Sequence, residues 1–313
     1  MAASQPCVSY VVTLYNKARY LPQVWAGLLA QRGGFRAQYV FVDDGSTDET
    51  LAVLRRLTQG RADVVVLQQA NAGPARALNA GLAVAEGDFV KLVDGDDVLL
   101  PWCTARMLAA LAATGTHAAC ALPEGQPTYQ VGADEAPAGP EPTEPPAEMV
   151  DLLPLSLKRA QTMPSLWLAR RDALRACGGC DAGVFIQDYS LELRLAAAGP
   201  VALLRGALVA LPEAAPGRLS DNQAQTLHDL NLATLRFLAA RPNLPAALRR
   251  LGQQRALGRA YLWAVRRGAP ARAPWLLVLR LLAAAGLLPA GWLREATLCG
   301  PFRATHPIRL PPT

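Results

Sequence analysis

Two stretches decide the fold: VFVDDGSTDET at residues 40–50 and GDFVKLVDGDD at residues 87–97. Each begins with an apolar, β-branched run that predicts a buried strand, and each strand ends in carboxylates, at Asp43 and at Asp94. Strands that alternate with helices form a mostly parallel sheet, and such sheets bind ligands at the carboxyl ends of their strands. We therefore expect both acidic clusters at one edge of an α/β domain.

The flanking segments continue this alternation. A strand over Val8–Leu14 precedes a helix over Leu21–Gln31, and a strand over Val64–Leu67 precedes a helix over Pro74–Ala85. The periodicity of apolar residues supports each assignment. Thr47, which follows the first acidic cluster, is expected to cap the next helix.

The turn Asp94-Gly95-Asp96-Asp97 is a candidate metal site. Carboxylates crowded onto one turn repel each other unless a cation joins them, and Mg²⁺ or Mn²⁺ typically bridges such oxygens to a substrate phosphate. A solvated acidic turn is the alternative from spacing alone. The position of residues 94–97 at the end of a strand favours the metal interpretation.

Two other polar segments have a binding and a structural interpretation. The carboxylates that begin at Asp43 could accept hydrogen bonds from a nucleobase or a ribose, yet Asp, Gly and Ser are also ordinary turn residues. In NAGPARALNAG, at residues 71–81, Arg76 or Asn79 could face a diphosphate. Its glycine spacing differs from the dinucleotide-binding fingerprint, and Arg76 could equally be a surface cation.

Five segments, in this order, resemble family 2 glycosyltransferases of the GT-A fold, over about residues 8–200. They are VVTLYNKARYLPQVWAGLLAQ (11–31), VFVDDGSTDET (40–50), NAGPARALNAG (71–81), GDFVKLVDGDD (87–97) and GGCDAGVFIQDYSLELRL (178–195). The resemblance implies a metal-dependent enzyme that transfers a sugar from a nucleotide-diphosphate donor to a glycan or lipid-linked acceptor. It also implies a role in cell-surface glycan biosynthesis.

The same resemblance assigns roles to individual residues. Asp43 contacts the nucleobase, and Asp94 and Asp96 form the D-x-D element, whose second Asp ligates the Mn²⁺ or Mg²⁺ that holds the diphosphate. Asp188 deprotonates the acceptor hydroxyl, and one displacement with one base predicts inversion. A helix N-terminal carboxylate is the structural alternative for Asp188. The other expected donor contacts are Thr13, Tyr15, Asn16, Asp44, Asn71, Gly73, Arg76, Asn79 and Gly95.

The chain also departs from the family pattern. Thr13 and Gln187 stand where the family usually has a proline and an acid. They leave room for a catalytically inactive nucleotide-sugar-binding or scaffold protein. The first loop lacks the glycine-rich motif of nucleotidyltransferases, and the Q-x-x-R-W element of processive synthases is absent.

Composition and patterning predict the organisation of the chain. With 313 residues, 51% hydrophobic and 18% charged, it can bury a large core. We expect a GT-A (Rossmann-like) α/β domain with a mostly parallel sheet and flanking helices, followed by a helical C-terminal appendage. The expected parts are a donor-binding half (1–122), a Pro/Glu-rich loop or linker (123–150), an acceptor-side half (151–215) and a helical Arg-rich region (216–313).

Charge is concentrated at the C-terminus. The formal net charge is +6, and from Arg241 onward the chain has twelve arginines and one acid, Glu295. This predicts contact with an anionic membrane surface rather than with nucleic acid. The alternative is that arginine is the default cation of this chain, because only three lysines occur. Without a signal peptide or spanning segment, we expect a cytoplasmic protein with reduced cysteines, peripheral at the inner membrane face.

Overall fold

The computed structural model describes residues 5–132, 137, 141–143, 147–213, 221–267, 270–288 and 291–312. The strands are β1 (Cys7–Leu14), β2 (Arg36–Asp43), β3 (Val64–Gln68), β4 (Phe89–Asp94), β5 (Val98–Leu99), β6 (Ala118–Ala121), β7 (Thr128–Tyr129), β8 (Glu148–Val150), β9 (Trp167–Arg170), β10 (Val201–Leu204) and β11 (Val209–Pro212). The helices are α1 (Leu21–Leu29), α2 (Thr50–Leu57), α3 (Pro74–Val84), α4 (Cys103–Thr114), α5 (Leu153–Lys158), α6 (Arg171–Ala176), α7 (Asp188–Ala197), α8 (Gln223–Ala239), α9 (Ala246–Arg266), α10 (Ala273–Ala285) and α11 (Glu295–Arg303).

Eight strands form one mostly parallel sheet, as the sequence predicted. Its order is β3-β2-β1-β4-β9-β6-β10-β8. Strands β1 to β4 are mutually parallel where they pair, and β6 and β10 form a second parallel pair. β9 is antiparallel between β4 and β6, and β8 is an antiparallel edge strand. β5, β11 and β7 form a small separate sheet.

The large sheet is buried on both faces, because its central strands are mostly apolar and pack against a core on each side. Along β1, Tyr10 and Val12 face one core, which includes Trp25 of α1 and Met107 of α4. Val11 faces the other core, with α3, α7 and the C-terminal helices. Helices on both faces thereby hold the strand ends in fixed positions.

The C-terminal region is helical, as predicted, and packs onto the second core. Asn222 caps α8, because its side-chain oxygen accepts the N–H of Gln225 at 3.1 Å. Pro242 and Pro245 lie between α8 and α9. α11 lies within the region predicted to be helical, and it contains Pro301. Among the described residues, no helix is long and apolar enough to cross a bilayer.

Some predictions concern residues outside the described ranges. The expected loop over 123–150 is described only in part, and its described residues include β7 and β8. The predicted boundary between 215 and 216 lies outside the described residues.

One cap prediction was wrong. α2 begins at Thr50, whose N–H donates to Asp48 Oδ1 at 2.9 Å. Thr47 is occupied elsewhere, since its N–H donates to Asn16 Oδ1 at 2.8 Å.

Candidate active site

The two acidic clusters lie side by side at the carboxyl edge of the sheet, as the sequence predicted. In the strand register Leu14 is opposite Asp43, and Thr13 is opposite Asp94. Backbone hydrogen bonds continue past the strand ends, because Asp44 N–H donates to Leu14 O at 2.8 Å and Gly95 N–H to Thr13 O at 3.1 Å. The end of β1 therefore separates the two clusters.

Asp43 has an unused acceptor in a buried position. Its side chain is 1% exposed, and Oδ1 accepts the Ser46 N–H at 3.3 Å. Oδ2 is buried and has no hydrogen-bond partner among the described residues. A buried carboxylate oxygen without a partner is costly, so it fits a ligand that donates an N–H or hydroxyl.

Asp44, predicted as a donor contact, instead organises the protein. Its Oδ1 accepts from Gln69 Nε2 and from Ala72 N–H, both at 2.8 Å, and its Oδ2 accepts the Gly73 N–H at 2.9 Å. These bonds pin the loop before α3 to the end of β2. Asp44 shapes the site through this loop.

The side chain of Asn16 is also used within the protein. Asn16 has a positive φ of 54°, its N–H donates to Ser46 Oγ at 2.9 Å, and its Oδ1 accepts the N–H groups of Thr47 and Asp48. It joins the first loop to the turn after β2. The neighbouring Tyr15 is 41% exposed, so its ring is open to a ligand.

The entry of α3 depends on Gly73. Its φ is +90°, and a Cβ there would lie 2.9 Å from the ring of Phe185. This close approach brings the segment before α7 against the loop of Asn71, which is exposed. Gly73 thereby joins the two halves of the expected site.

Two residues predicted to face a diphosphate have other partners. The Asn79 amide is paired with the backbone of Cys180, at 3.0 Å to its carbonyl and 2.9 Å from its N–H. The Arg76 guanidinium donates to the carbonyl of Pro312, while its Nε is buried and has no partner among the described residues. That either side chain faces a diphosphate stays a prediction.

The acidic turn after β4 concentrates negative charge. Asp97 N–H donates to Asp94 O at 3.0 Å and closes the turn. Burial raises the pKa of Asp94 well above its usual range, and the charges of Asp97, Asp188 and Asp96 add to this effect. The charge of Lys17 lowers the pKa of Asp94, and the Lys17 Nζ lies 2.5 Å from Asp96 Oδ2.

The donor set of this turn fits a divalent cation shared with a diphosphate. Asp94 and Asp96 offer hard carboxylate oxygens, and Mg²⁺ bound to substrate phosphates commonly takes only one or two protein carboxylates. A dication would relieve the repulsion that contributes to the raised pKa of Asp94. The described residues contain no cluster of three or more His, Cys, Asp or Glu side chains suited to hold a metal without such help.

Asp188 lies at the start of α7, and its charge interacts with the acidic turn. Burial raises its pKa to about 6, and its charge contributes to the raised pKa of Asp94. Gln187 Nε2 donates to Asp94 Oδ1 at 3.3 Å, so the residue before Asp188 contacts the acidic turn. The expected base and the D-x-D element are thus brought together.

The C-terminal helices hold the segment before Asp188. Asp229 of α8 accepts the Ile186 N–H at 3.0 Å, and Arg236 of α8 donates to Asp181 Oδ2 at 2.7 Å. Although burial opposes it, the bonds from Arg236 and Gly183 keep the pKa of Asp181 below its usual value. α8 therefore anchors both ends of this segment.

Sequence reasoning missed two lysines near the site. Besides Lys17, the fully buried Lys91 donates through Nζ to the carbonyls of Leu92, Ser165 and Trp167. The Asp94 N–H in turn donates to Ser165 Oγ at 2.8 Å, so Lys91 helps position the acidic turn. The rarity of lysine could have pointed to these two residues, because two of the only three lysines in the sequence lie here.

Comparisons with known sequences find relatives for part of this chain. Residues 9–135 match the model of glycosyl transferase family 2. The chain is 40% identical over 95 residues to an uncharacterized glycosyltransferase of Nostoc sp., covering 30% of this chain and 29% of that one. It is 34% identical over 114 residues to the succinoglycan biosynthesis protein ExoO of Rhizobium meliloti, covering 36% and 32%. The matched segment thus spans only about a third of these curated relatives.

Solved structures share the fold. S. aureus TarS 1–349 in complex with UDP-GlcNAc superimposes with a TM-score of 0.66 at 17% identity, over 95% of this chain and 90% of that chain. The mannosyltransferase PcManGT from Pyrobaculum calidifontis, in complex with GDP-Man and Mn²⁺, gives 0.60 at 20% identity, over 97% and 86%. At such identities the likeness concerns the fold alone. It confirms the predicted GT-A α/β architecture with its helical C-terminal region.

Proposed function

We propose that this chain, which belongs to glycosyl transferase family 2 through residues 9–135, transfers a sugar from a nucleotide-diphosphate donor to an acceptor hydroxyl with inversion. One observation carries the proposal. The carboxylate of Asp188 interacts electrostatically with Asp94 of the acidic turn, and Gln187 links the two segments. These interactions support a single base near a single phosphate-binding turn.

Asp43 is proposed to recognise the nucleoside. Its buried Oδ2 has no partner among the described residues, so it can accept a hydrogen bond from a base N–H or a ribose hydroxyl. Solved structures of the same fold hold UDP-GlcNAc and GDP-Man, which supports a nucleotide sugar but does not select the base.

Asp96 and Asp94 are proposed to hold Mn²⁺ or Mg²⁺. The ion, when bound, neutralises negative charge on the diphosphate leaving group. Lys17 pairs with Asp96 and supplies a second cation at the turn. The complex of PcManGT with Mn²⁺ supports this assignment.

Asp188 is proposed as the general base. Because its pKa is raised to about 6, its carboxylate is ionised at neutral pH and yet more basic than an ordinary aspartate. It takes the proton of the acceptor hydroxyl as that oxygen attacks the anomeric carbon, and the nucleoside diphosphate leaves. Relatives named for succinoglycan biosynthesis support a cell-surface glycan or its lipid-linked precursor as acceptor.

A protein that binds a nucleotide sugar without turnover is the second candidate. Two observations favour it: the Lys17 ammonium already pairs with the carboxylate proposed for the cation, and Gln187 replaces the acid usual before Asp188.

Release of nucleoside diphosphate from UDP-, GDP- and dTDP-sugars, with Mn²⁺ and a trial acceptor extract, separates the candidates. We expect release by the wild type and a fall of about 100-fold or more in Asp188→Asn and Asp96→Ala. Nucleotide binding without release identifies the non-catalytic binder. The absence of both nucleotide binding and nucleotide release would contradict the proposal.

A further inference from the structure

Helix α10 is apolar on both of its faces. Its inner side chains, Leu276, Leu279 and Ala283, are buried against the protein. Its exposed side chains are apolar except for Arg280, and this helix is described in full. A surface helix ordinarily turns polar residues outward, so an outer face of this kind is suited to being covered. The exposed apolar residues of this outer face are Pro274, Leu277, Val278, Leu281, Ala284 and Ala285.

Two tryptophans lie at the border of this surface. The rings of Trp275 and Trp292 have centroids 5.3 Å apart, and the two side chains are 50% and 42% exposed. Indole rings favour the boundary between water and lipid, because they combine an apolar ring with one polar N–H. We call Trp275, Leu277, Val278, Leu281, Leu287 and Trp292 together the α10 face.

Arginines flank the α10 face. Arg272, Arg280 and Arg294 are exposed, and none of the ion pairs among the described residues involves them. The single acid after Arg241 is Glu295, which pairs with Arg303 at 2.5 Å. The surroundings of the α10 face therefore carry unneutralised positive charge.

We propose that the α10 face docks the protein on an anionic lipid bilayer. The apolar side chains would enter the boundary between headgroups and acyl chains, the tryptophans would lie at headgroup level, and the arginines would meet lipid phosphates. Charge favours lipid over a second copy of the chain, because self-association would bring two arginine-rich surfaces together. This inference is independent of the proposed sugar transfer.

Vesicle co-sedimentation tests the proposal. The probes are vesicles of phosphatidylcholine alone and of phosphatidylcholine with about 30% phosphatidylglycerol. We expect binding to the anionic vesicles, weakened by salt, with a blue shift of tryptophan emission. Leu281→Glu and Trp275→Ala should each weaken this binding by about tenfold or more. Leu281 is 61% exposed, so the folded state should tolerate glutamate.

Met149→Glu is the matched control. Met149 is 63% exposed and lies on edge strand β8 rather than on α10, so the variant adds the same charge at similar exposure and should bind as the wild type does. Equal binding by Leu281→Glu and the wild type would overturn the proposal, as would no binding to either vesicle. A dimer in light scattering that Leu281→Glu dissociates, without vesicle binding, would also overturn it. Nucleotide-induced thermal stabilisation should be unchanged in Leu281→Glu, so failure here is distinct from failure of the donor site.

Discussion

Asp188→Asn should abolish sugar transfer and yet stabilise the fold. Burial raises the pKa of Asp188 from 3.8 to about 6, and one pKa unit corresponds to about 1.4 kcal/mol. The shift corresponds to about 3 kcal/mol, and because solvent screens part of the charge on this partly exposed side chain, we expect about 1–3 kcal/mol. The native state holds its proton more tightly than the unfolded chain, so the cost is absent below about pH 4 and complete above about pH 6.

Urea denaturation at about pH 8 and about pH 4, combined with a nucleotide-release assay, measures both effects. The Asn variant should have the higher free energy of unfolding at the higher pH, and the difference should vanish at the lower pH. Wild-type turnover should rise with pH through about 6 as the carboxylate ionises.

Asp172→Asn is the matched control, because Asp172 lies in the first turn of α6 and is exposed. A carboxylate that only favours the helix N-terminus should lose about 0.3–1 kcal/mol on this change, with no loss of activity. If Asp188→Asn is destabilised like the control, the cost of the buried charge is refuted. If it retains wild-type turnover, the catalytic role of Asp188 is refuted.

Three further substitutions separate binding from architecture. Asp43→Ala should weaken nucleotide binding by about tenfold or more. It should change the free energy of unfolding by at most about 1 kcal/mol, since it removes an oxygen without a partner. Calorimetry measures the affinity and urea denaturation the stability, and unchanged affinity would refute the role of Asp43. Asp44→Ala should lower the free energy of unfolding by about 2–4 kcal/mol, because three donors lose their acceptor, and a loss below about 0.5 kcal/mol would contradict this. Gly73→Ala should cost about 1–3 kcal/mol through its positive φ and its contact with Phe185. Measured in a Phe185→Ala background by urea denaturation, the same change should cost only the backbone strain, and an undiminished cost would contradict the role of the contact.

The mostly parallel sheet and the edge that carries the carboxylates could be predicted from the sequence. Apolar runs that end at Asp43 and Asp94 suffice, because parallel strands bring their carboxyl ends to one edge. The register that sets Leu14 opposite Asp43 was not predicted, because an apolar run does not fix which residues of two strands are paired. Helix boundaries were predicted less accurately. Thr47 does not cap α2, because its N–H donates to the side chain of Asn16, which is distant in sequence.

The partners of individual polar side chains were beyond the sequence. Asp44, Asn16 and Asn79 have the residue types of ligand contacts, yet their acceptors and donors are used by loops that only the folded chain brings near. Likewise, nothing local indicates that Asp229, over forty residues from Ile186, holds the segment before Asp188. Local chemistry predicts what a residue can bind, whereas the tertiary fold decides which partner reaches it.

The central claim is a metal-assisted nucleotide-diphosphate site at the ends of β1, β2 and β4. A thermal-shift panel of UDP, GDP, dTDP and CMP, each with and without Mn²⁺, tests it most directly, because a ligand that binds only the native state raises its apparent stability. We predict stabilisation by one diphosphate that requires Mn²⁺ and is lost in Asp96→Ala. No shift with any nucleotide, or an equal shift in Asp96→Ala, would contradict the account.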